Sequence, residues 1–291
     1  MYFCRVILKP KIMRKSILFC LCIAVVALFA ACKDPDGVYN PSKKIQKIYT
    51  VENGEQQLQQ VWQWSGNLLS SIEENYGYTT LKTTFTYDSK NRLSTIESMG
   101  SRGEVSYDGN KLDDIKFYYG SEEIAKYDFD YKGGKISEIE MEFYDLWDKS
   151  AANPLRYLLP EVYPVVSDFV QNRQSDIKGD KIKMKLYWKG NNVKTIELTE
   201  TGDITYSSTT DCLFDNKSNP FYGCVSEMGS DIIGNFFLNK NNIVTMTTLT
   251  GGLTSEVKNT YEYDGNYPVK VTSKTTDWEG TETSTVIYEY E

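Results

Sequence analysis

The chain has 291 residues, with 40 acidic and 32 basic side chains, a net charge of −8 and no histidine. This length predicts one large domain or two small ones. The lack of histidine excludes His-dependent catalytic triads, Cys–His dyads and zinc sites built from imidazole ligands.

Residues 1–31 have the features of a secretory signal. A basic pair, Arg14 and Lys15, precedes an apolar run of 15 residues that ends in two alanines. The run is shorter than the ~20 residues that span a bilayer. Cys32 follows directly, so the segment resembles a bacterial lipoprotein signal, which implies cleavage before Cys32 and acylation of its thiol. The alternative is a soluble secreted protein in which Cys32 has no special role.

An acylated Cys32 would anchor the protein to a membrane without a spanning element, because two or more acyl chains attach a protein stably. Residues 32–44 then form a tether. Within it, the acidic stretch of residues 33–36 resembles the surface-export tag of Bacteroidetes lipoproteins, and an ordinary polar linker is the alternative. We expect a lipid-anchored outer-membrane location on the periplasmic or the cell-surface face, with translation starting at Met1 or Met13.

The mature chain is more acidic than the whole sequence. The signal contains five of the 32 basic residues and none of the 40 acidic ones, which leaves 27 basic against 40 acidic residues and a net charge of −13. Such a charge repels nucleic acid and anionic lipid headgroups. We therefore expect no nucleic-acid partner, and a membrane contact made through the N-terminal lipid.

A strand–turn–strand unit recurs along residues 45–291, which we interpret as a single domain. Each copy has an alternating segment that ends in an aromatic residue, a polar turn, and an aliphatic pair. The turns contain pairs such as Asp108-Gly109 and Gly133-Gly134, which supply the positive φ that tight hairpins need. The units resemble the tyrosine-aspartate (YD) repeats of secreted bacterial β proteins. Their aromatic anchors, including two degenerate copies, are Trp64, Tyr87, Tyr107, Tyr131, Trp188, Phe214 and Tyr263.

The two aliphatic residues of each pair are three positions apart. In a regular strand, residues three apart lie on opposite faces. The repeated spacing therefore predicts a β-bulge after each hairpin, which lets both side chains face the core. The pairs are Leu69/Ile72, Leu93/Ile96, Leu112/Ile115, Ile136/Ile139 and Val193/Ile196.

The period of the repeat predicts an all-β fold, a large antiparallel meander of about 14–17 strands. Such a meander must curl, because open edges invite aggregation, so we expect a barrel or half-barrel. The polar rows are Glu, Asp, Lys and Thr, whereas a membrane-spanning barrel presents an apolar outer band. The pattern therefore indicates a soluble sheet with an apolar inner face.

Residues 151–172 break the strand pattern. Their apolar side chains follow helical spacing, and Pro160 and Pro164 would divide the segment into two short helices. We expect a short helical insertion that serves as a plug or lid for the sheet, or as a movable gate over a ligand cavity. A second helix is expected within residues 221–237.

Cys212 and Cys224 are the two mature cysteines that remain after Cys32, and an even pair suits an oxidising compartment. They lie symmetrically about Ser218. If this stretch is a simple hairpin, the strands place the two thiols within bonding reach and a disulfide forms. If Pro220 instead starts a helix, the thiols stay separate. The disulfide is the hypothesis that we carry forward.

Two motifs, DNKSNPFYG at residues 215–223 and YEYDGNYPVKVT at residues 261–272, are similar to those of a Bacteroidetes lipoprotein family of unknown function. That resemblance covers roughly residues 45–291. It implies a porin-like fold. It supplies no catalytic residues.

The sequence contains no G-x-S-x-G motif, no phosphate-binding glycine-rich loop and no metal-spaced cysteine set. The Asp128-x-Asp130 pair lacks the other ligands of a calcium loop, so we assign it to a solvated strand face. We expect a non-enzymatic binding or structural module without cofactor or metal, whose partner is a glycan or another envelope protein. A glycan hydrolase with paired carboxylates is the alternative. The candidate sugar-stacking aromatic residues are Tyr118, Tyr119, Tyr222 and Trp278.

Overall fold

The computed structural model describes residues 39, 41–75, 77, 79–98, 100–144, 181–201, 206–222, 238–278 and 280–291. The signal, Cys32 and the expected helical insertion at residues 151–172 lie outside these residues. Most of residues 221–237 also lie outside them. Those expectations therefore remain predictions.

Sixteen antiparallel strands follow one another around a closed barrel. Each strand pairs with its neighbours in sequence, and the last strand pairs with the first. The predicted meander is confirmed, and pairing of the two terminal strands selects the barrel over the half-barrel. The strands are β1 (Ile45–Glu52), β2 (Glu55–Ser65), β3 (Leu68–Asn75), β4 (Thr80–Tyr87), β5 (Leu93–Ser98), β6 (Ser101–Asp108), β7 (Lys111–Tyr119), β8 (Glu122–Lys132), β9 (Lys135–Phe143), β10 (Lys181–Lys189), β11 (Asn192–Thr201), β12 (Tyr206–Ser218), β13 (Asn241–Thr250), β14 (Leu253–Asp264), β15 (Tyr267–Asp277) and β16 (Gly280–Tyr290).

The expected bulge follows the hairpins that carry an aromatic anchor. Thr86 pairs with Thr95 while the next residue, Tyr87, pairs with Leu93, so Ser94 is the extra residue on the returning strand. As a result, both members of each aliphatic pair are buried. The same register shift occurs in the strand pairs that contain Trp64, Tyr107, Tyr131, Trp188 and Tyr263.

The alternation of strand directions gives the barrel two distinct ends. The connections that follow the even-numbered strands lie at one end, together with the start of β1 and the end of β16. We call this the near end, and the opposite end, with the connections that follow the odd-numbered strands, the far end. The chain therefore enters and leaves the barrel at the near end.

An aromatic side chain from the β12–β13 connection fills the near end. Phe221 is 7% exposed, and its ring centre lies 6.0 Å from that of Trp62 and 5.8 Å from that of Tyr288. Its backbone N–H donates to Oδ1 of Asn219, which holds the turn (3.0 Å). Tyr39 donates from its hydroxyl to the carbonyl of Pro220 (2.8 Å), so the chain segment before β1 is fastened to the same structure.

The aromatic anchors form a ring of hydrogen bonds around the near end. Four of the anchors, and Tyr290 at the end of β16, donate from their polar tips to a backbone carbonyl in a neighbouring unit, which satisfies a group that is otherwise costly to bury. The bonds are Trp64 to Ile45 (2.8 Å), Tyr87 to Leu69 (2.7 Å), Tyr107 to Leu93 (2.8 Å), Trp188 to Ile136 (2.6 Å) and Tyr290 to Pro268 (2.7 Å).

On strands β9 and β10 the outward side of the wall is charged, whereas Leu213 of β12 and Leu249 of β13 are exposed apolar side chains. On neighbouring strands β9 and β10, Lys183 lies between Glu138 (3.1 Å) and Glu140 (2.7 Å), and Lys181 reaches Glu140 (2.6 Å). These residues alternate with Ile139 and the other inward side chains, as the sequence pattern predicts. Among the described residues, no helix is both long and apolar enough to cross a membrane.

Candidate functional site

The interior of the barrel has two chemically different walls. Strands β7 to β9 present apolar side chains such as Phe117, Ala125 and Met141, all less than a tenth exposed. Strands β12 to β14 combine hydroxyl and amide groups with a buried apolar cluster of Cys212, Ile243 and Met246. Thr210 and Thr248 hydrogen-bond across the pair β12–β13 (2.9 Å). Buried polar residues continue this lining into β1 to β6: Thr50, Gln60, Glu74, Thr83, Ser98 and Ser101.

A buried carboxylate lies in the polar wall. Glu74 is 6% exposed and accepts a hydrogen bond from Nε2 of Gln60 (2.8 Å), which is 2% exposed. Oε1 of Gln60 accepts in turn from the indole N–H of Trp62 (2.8 Å). The three side chains form a continuous chain from β3 to β2 that orients the carboxylate.

A glycosidase site needs two carboxyl groups about 5–10 Å apart. Among the described residues, Glu74 is the one charged side chain that is less than a tenth exposed. The structure thus places Glu74 with an amide and an indole. These groups suit hydrogen bonding to a polar ligand, or to the fold itself.

The expected sugar-stacking residues fall at both ends of the barrel. Tyr119, 48% exposed, ends β7 at the far end, and Trp278, 72% exposed, lies in the turn after β15, eight strands away around the wall. Tyr118 points outward beneath Arg102, whose guanidinium carbon lies 5.2 Å from the ring centre. Tyr222 is half-buried at the near end, beside the Phe221 turn. The structure therefore places three of the four at the far end, with Trp278 on the opposite side of the barrel from Tyr118 and Tyr119, and Tyr222 at the near end.

Cys212 lies on β12 opposite Met246 of β13 and is 1% exposed. Burial raises the pKa of its thiol to about 12. Strand β12 continues to Ser218 and the returning strand begins at Asn241, so the DNKSN stretch is not the simple hairpin on which the proximity argument depended. Cys224 lies outside the described residues, and the disulfide stays a prediction.

The carboxylate of Asp128 lies on the outward face and forms an ion pair with Lys126 (2.5 Å). This contact accounts for the Asp128-x-Asp130 pair as part of a solvated strand face. In the part of the chain that the structure describes, no group of three or more potential metal ligands comes together.

Sequence reasoning missed the near-end contacts of Phe221 and Tyr39 and the buried position of Glu74. The DNKSNPFYG motif left open a hairpin or a helix that begins at Pro220, and the insertion of Phe221 between Trp62 and Tyr288 depends on strands far away in sequence. Glu74 lies two residues after the buried Ile72 in β3, and this spacing places both side chains on the inner face of the strand. The alternation is therefore the sequence signal that could have identified Glu74.

The fold and the interior together define a closed antiparallel β-barrel whose near end holds Phe221 and whose outer face on β9 and β10 is charged. Two solved structures similar to this chain are porin-like proteins from Bacteroides vulgatus ATCC 8482 and Bacteroides uniformis ATCC 8492. The first is 13% identical with a TM-score of 0.47, covering 86% of this chain and 99% of that one. The second is 12% identical with a TM-score of 0.47, covering 85% and 98%. No family model and no curated protein matches the chain.

Proposed function

We propose that this protein is a lipid-anchored, non-enzymatic module of the outer membrane that presents the far end of its barrel to a ligand or to another envelope protein. The observation that carries the proposal is the outer wall. Its Lys183–Glu140 contact and the ion pairs around it occupy the positions at which a spanning barrel would present apolar side chains to lipid. Attachment through Cys32 supplies membrane association without a spanning wall.

The path of the chain supports this attachment. Tyr39 is 4% exposed and is fastened to the near end through Pro220 and through Trp64, whose ring centre is 5.7 Å away. Six residues, 33–38, separate Tyr39 from Cys32. A lipid on Cys32 would place the near end toward the membrane and leave the far end accessible. The strand–turn repeats and the NPF turn support placing the chain in the Bacteroidetes lipoprotein family described above.

The ligand class that fits best is a glycan. Hydroxyl and amide groups such as those of Thr210 and Asn259 lie in the interior of β12 to β14. The exposed indole of Trp278 lies at the far-end rim between β15 and β16, and the exposed ring of Tyr119 lies across the barrel on β7. Aromatic faces and fixed hydroxyl groups are the usual means of holding an apolar sugar face and its hydroxyl groups. A second envelope protein bound at the same rim is the competing form of the proposal.

The anchor is tested by metabolic labelling with a palmitate analogue. Wild-type protein is expected to incorporate the label, and the Cys32→Ser variant is expected to lose it. Detergent phase partitioning gives a second readout, since only the acylated form should enter the detergent phase. Equal labelling of both proteins would reject the anchor.

The ligand is tested on a glycan array with the mature, acylated protein held in detergent. Binding that weakens in both Trp278→Ala and Tyr119→Ala supports the far-end site, and Tyr222→Ala at the near end is the matched control. New reducing ends during incubation, lost in Glu74→Gln, would replace the binding proposal with the hydrolase alternative. Array binding that is unaffected by the far-end variants would place the ligand elsewhere.

A further inference from the structure

Basic side chains collect at the near end of this acidic protein. The described near-end residues are 41–44, 65–67, 88–92, 108–111, 132–135, 189–192, 215–222, 238–241, 264–266 and 291. Together they contain ten Lys or Arg and five Asp or Glu. The described far-end residues 52–55, 75, 77, 79–80, 98, 100–101, 119–123, 143–144, 181, 201, 206, 250–253, 277–278 and 280 contain five acidic residues and one basic residue, Lys181. Among the described residues, the near end therefore carries a net positive charge and the far end a net negative charge.

Some of these basic side chains contact the aromatic anchors and the turns around the near end. Lys44 donates to the carbonyl of Gly66 (2.8 Å) and Arg92 to that of Gly109 (2.6 Å), so that basic side chains bridge neighbouring near-end segments. Basic side chains at this end also lie over five of the aromatic anchors and over Tyr290, a favourable contact with the ring face. The cation-to-ring-centre pairs are Lys44–Trp64 (5.8 Å), Arg92–Tyr107 (4.0 Å), Lys111–Tyr131 (5.2 Å), Lys135–Trp188 (4.9 Å), Lys217–Tyr263 (5.6 Å) and Lys43–Tyr290 (5.8 Å).

Other near-end lysines have exposed side chains on the tips of the turns. Lys90 lies between β4 and β5, Lys132 ends β8, and Lys189 ends β10. These three lysines lie at the end of the barrel where the chain enters. Together with the other near-end basic residues they form a cationic rim in a protein whose total charge is negative.

We propose that this cationic rim docks on the anionic phospholipid surface of the membrane that holds the anchor. The inference rests on the proposed acylation of Cys32. Residues 33–38 span at most roughly 20 Å when extended, so Tyr39 and the rim stay close to the lipid. Lysines this near an anionic surface are attracted to it within about one Debye length, ~8–10 Å. The acidic far end is repelled, and the barrel stands upright with its far end away from the membrane.

The test uses the mature acylated protein reconstituted in vesicles of phosphatidylcholine alone or mixed with phosphatidylglycerol. A donor dye is placed at Ser65→Cys, at the near end, or at Ser121→Cys, at the far end; both positions are exposed. Headgroup-labelled lipid is the acceptor. Protein without an added cysteine measures labelling at the native thiols. We expect higher energy transfer from Ser65→Cys than from Ser121→Cys, and an increase for the near-end dye when phosphatidylglycerol is present.

The charge dependence has a matched control. Replacing Lys90, Lys132 and Lys189 with Gln is expected to abolish the increase caused by phosphatidylglycerol. Replacing Lys185, Lys258 and Lys274 on the outer wall with Gln removes the same charge and is expected to leave it intact. Salt near 1 M, where the Debye length is about 3 Å, should abolish the increase in energy transfer caused by phosphatidylglycerol in every variant. Circular dichroism and thermal unfolding verify that each variant is folded.

The outcomes separate docking from anchoring. Protein that associates with both kinds of vesicle, but shows the same near-end transfer on both, rejects docking and leaves the anchor intact. Association with phosphatidylglycerol vesicles alone rejects the anchor and retains the rim as an anionic-lipid contact. Higher transfer from Ser121→Cys, or an increase that survives in the near-end triple variant, overturns the proposal. If duplex DNA abolishes the increase in energy transfer caused by phosphatidylglycerol, and inorganic phosphate does not, the rim is assigned to nucleic acid instead.

Discussion

At the scale of single residues, the near end is held by side chains that meet from distant parts of the sequence. Phe221 reaches Trp62 of β2 and Tyr288 of β16, and Tyr39 fastens the preceding chain to Pro220. Tight packing of this kind fills the opening of a wide barrel with few residues. Each contact joins segments that are distant in sequence, so no local sequence pattern predicts it.

Phe221→Ala is expected to lower the free energy of unfolding by about 3–5 kcal/mol, because it removes a buried aromatic ring and leaves a cavity. The measurement is the free energy of unfolding by denaturant titration. Trp278→Ala removes a larger ring at a position that is 72% exposed, and its cost should stay within about 0.5 kcal/mol. Equal costs for the two variants would contradict the role assigned to Phe221.

The buried tyrosines make the fold sensitive to alkali. Burial raises the pKa of Tyr131 to about 12, and the pKa values of Tyr107, Tyr288 and Tyr290 are also raised by burial. The unfolded chain ionises these groups near their usual pKa of about 10. Their contribution is therefore complete below about pH 10 and is lost as the pH rises through the higher folded values.

We expect the free energy of unfolding to fall from about pH 10 upward, with tyrosine ionisation, followed by absorbance, accompanying the loss of far-ultraviolet circular dichroism. Tyr131→Phe should reduce the slope of this decline. Tyr119→Phe, at an exposed far-end position, is the matched control and should not. Full ionisation of the tyrosines while the barrel remains folded would refute this account.

At the scale of the element, the hairpin with its bulge is the repeated unit of the barrel. The turn residues Gly133 and Gly134 adopt φ of 61° and 81°, and the returning strand then carries one extra residue, Ser137. Ile136 and Ile139 both reach the core as a result. The polar turn and the three-residue spacing of the aliphatic pair thus belong to the same hairpin, in which the bulge follows the turn.

Gly134→Ala is expected to destabilise the protein by about 1 kcal/mol, because an L side chain at positive φ is strained. An added Cβ at this position meets nothing within 4 Å, so the cost is conformational and does not come from a clash. The measurement is the shift in the denaturation midpoint. Ser121→Ala, in a turn position without positive φ, should leave the midpoint unchanged.

At the scale of the whole molecule, closure is made by β1 and β16. Ile45 and Ile48 of β1 are fully buried, and they pair with Tyr290 and Tyr288 of β16. This contact joins the two ends of the described chain and leaves no sheet edge exposed. It also brings both ends of the chain to the near end, which decides the orientation proposed for the anchored protein.

Removal of residues 280–291 is expected to abolish cooperative unfolding, because the truncation opens the barrel and exposes the apolar side chains of β1. Differential scanning calorimetry would show the loss of a single sharp transition. Deletion of residues 33–38, which precede all described strand pairings, is the control and should retain the transition. A truncated protein that still unfolds cooperatively would show that closure is dispensable.

Much of the fold follows from the sequence because it depends on neighbours along the chain. The period-two alternation of segments such as Ile139 to Phe143 defines strands and their inner face, and Gly-containing turns define hairpins. The spacing of Leu112 and Ile115 revealed the bulge, since both residues lie in the same returning strand. For the candidate site, the same reasoning identified Trp278 and Tyr119 as exposed aromatic residues, whereas it did not identify Glu74.

By itself, the sequence determined the all-β meander, the hairpin bulges and the total charge, because local alternation, turn chemistry and composition specify them. Only the tertiary structure decided that β1 pairs with β16 and that Phe221 packs against Trp62 at the near end. It also decided that Glu74, Gln60 and Trp62 form a hydrogen-bonded chain inside the barrel. It also decided how charge is distributed. A net charge of −8 does not say where the charges lie, and alternating strand directions bring lysines from successive turns to the same end. Contacts between residues distant in sequence depend on barrel closure, which no local pattern encodes.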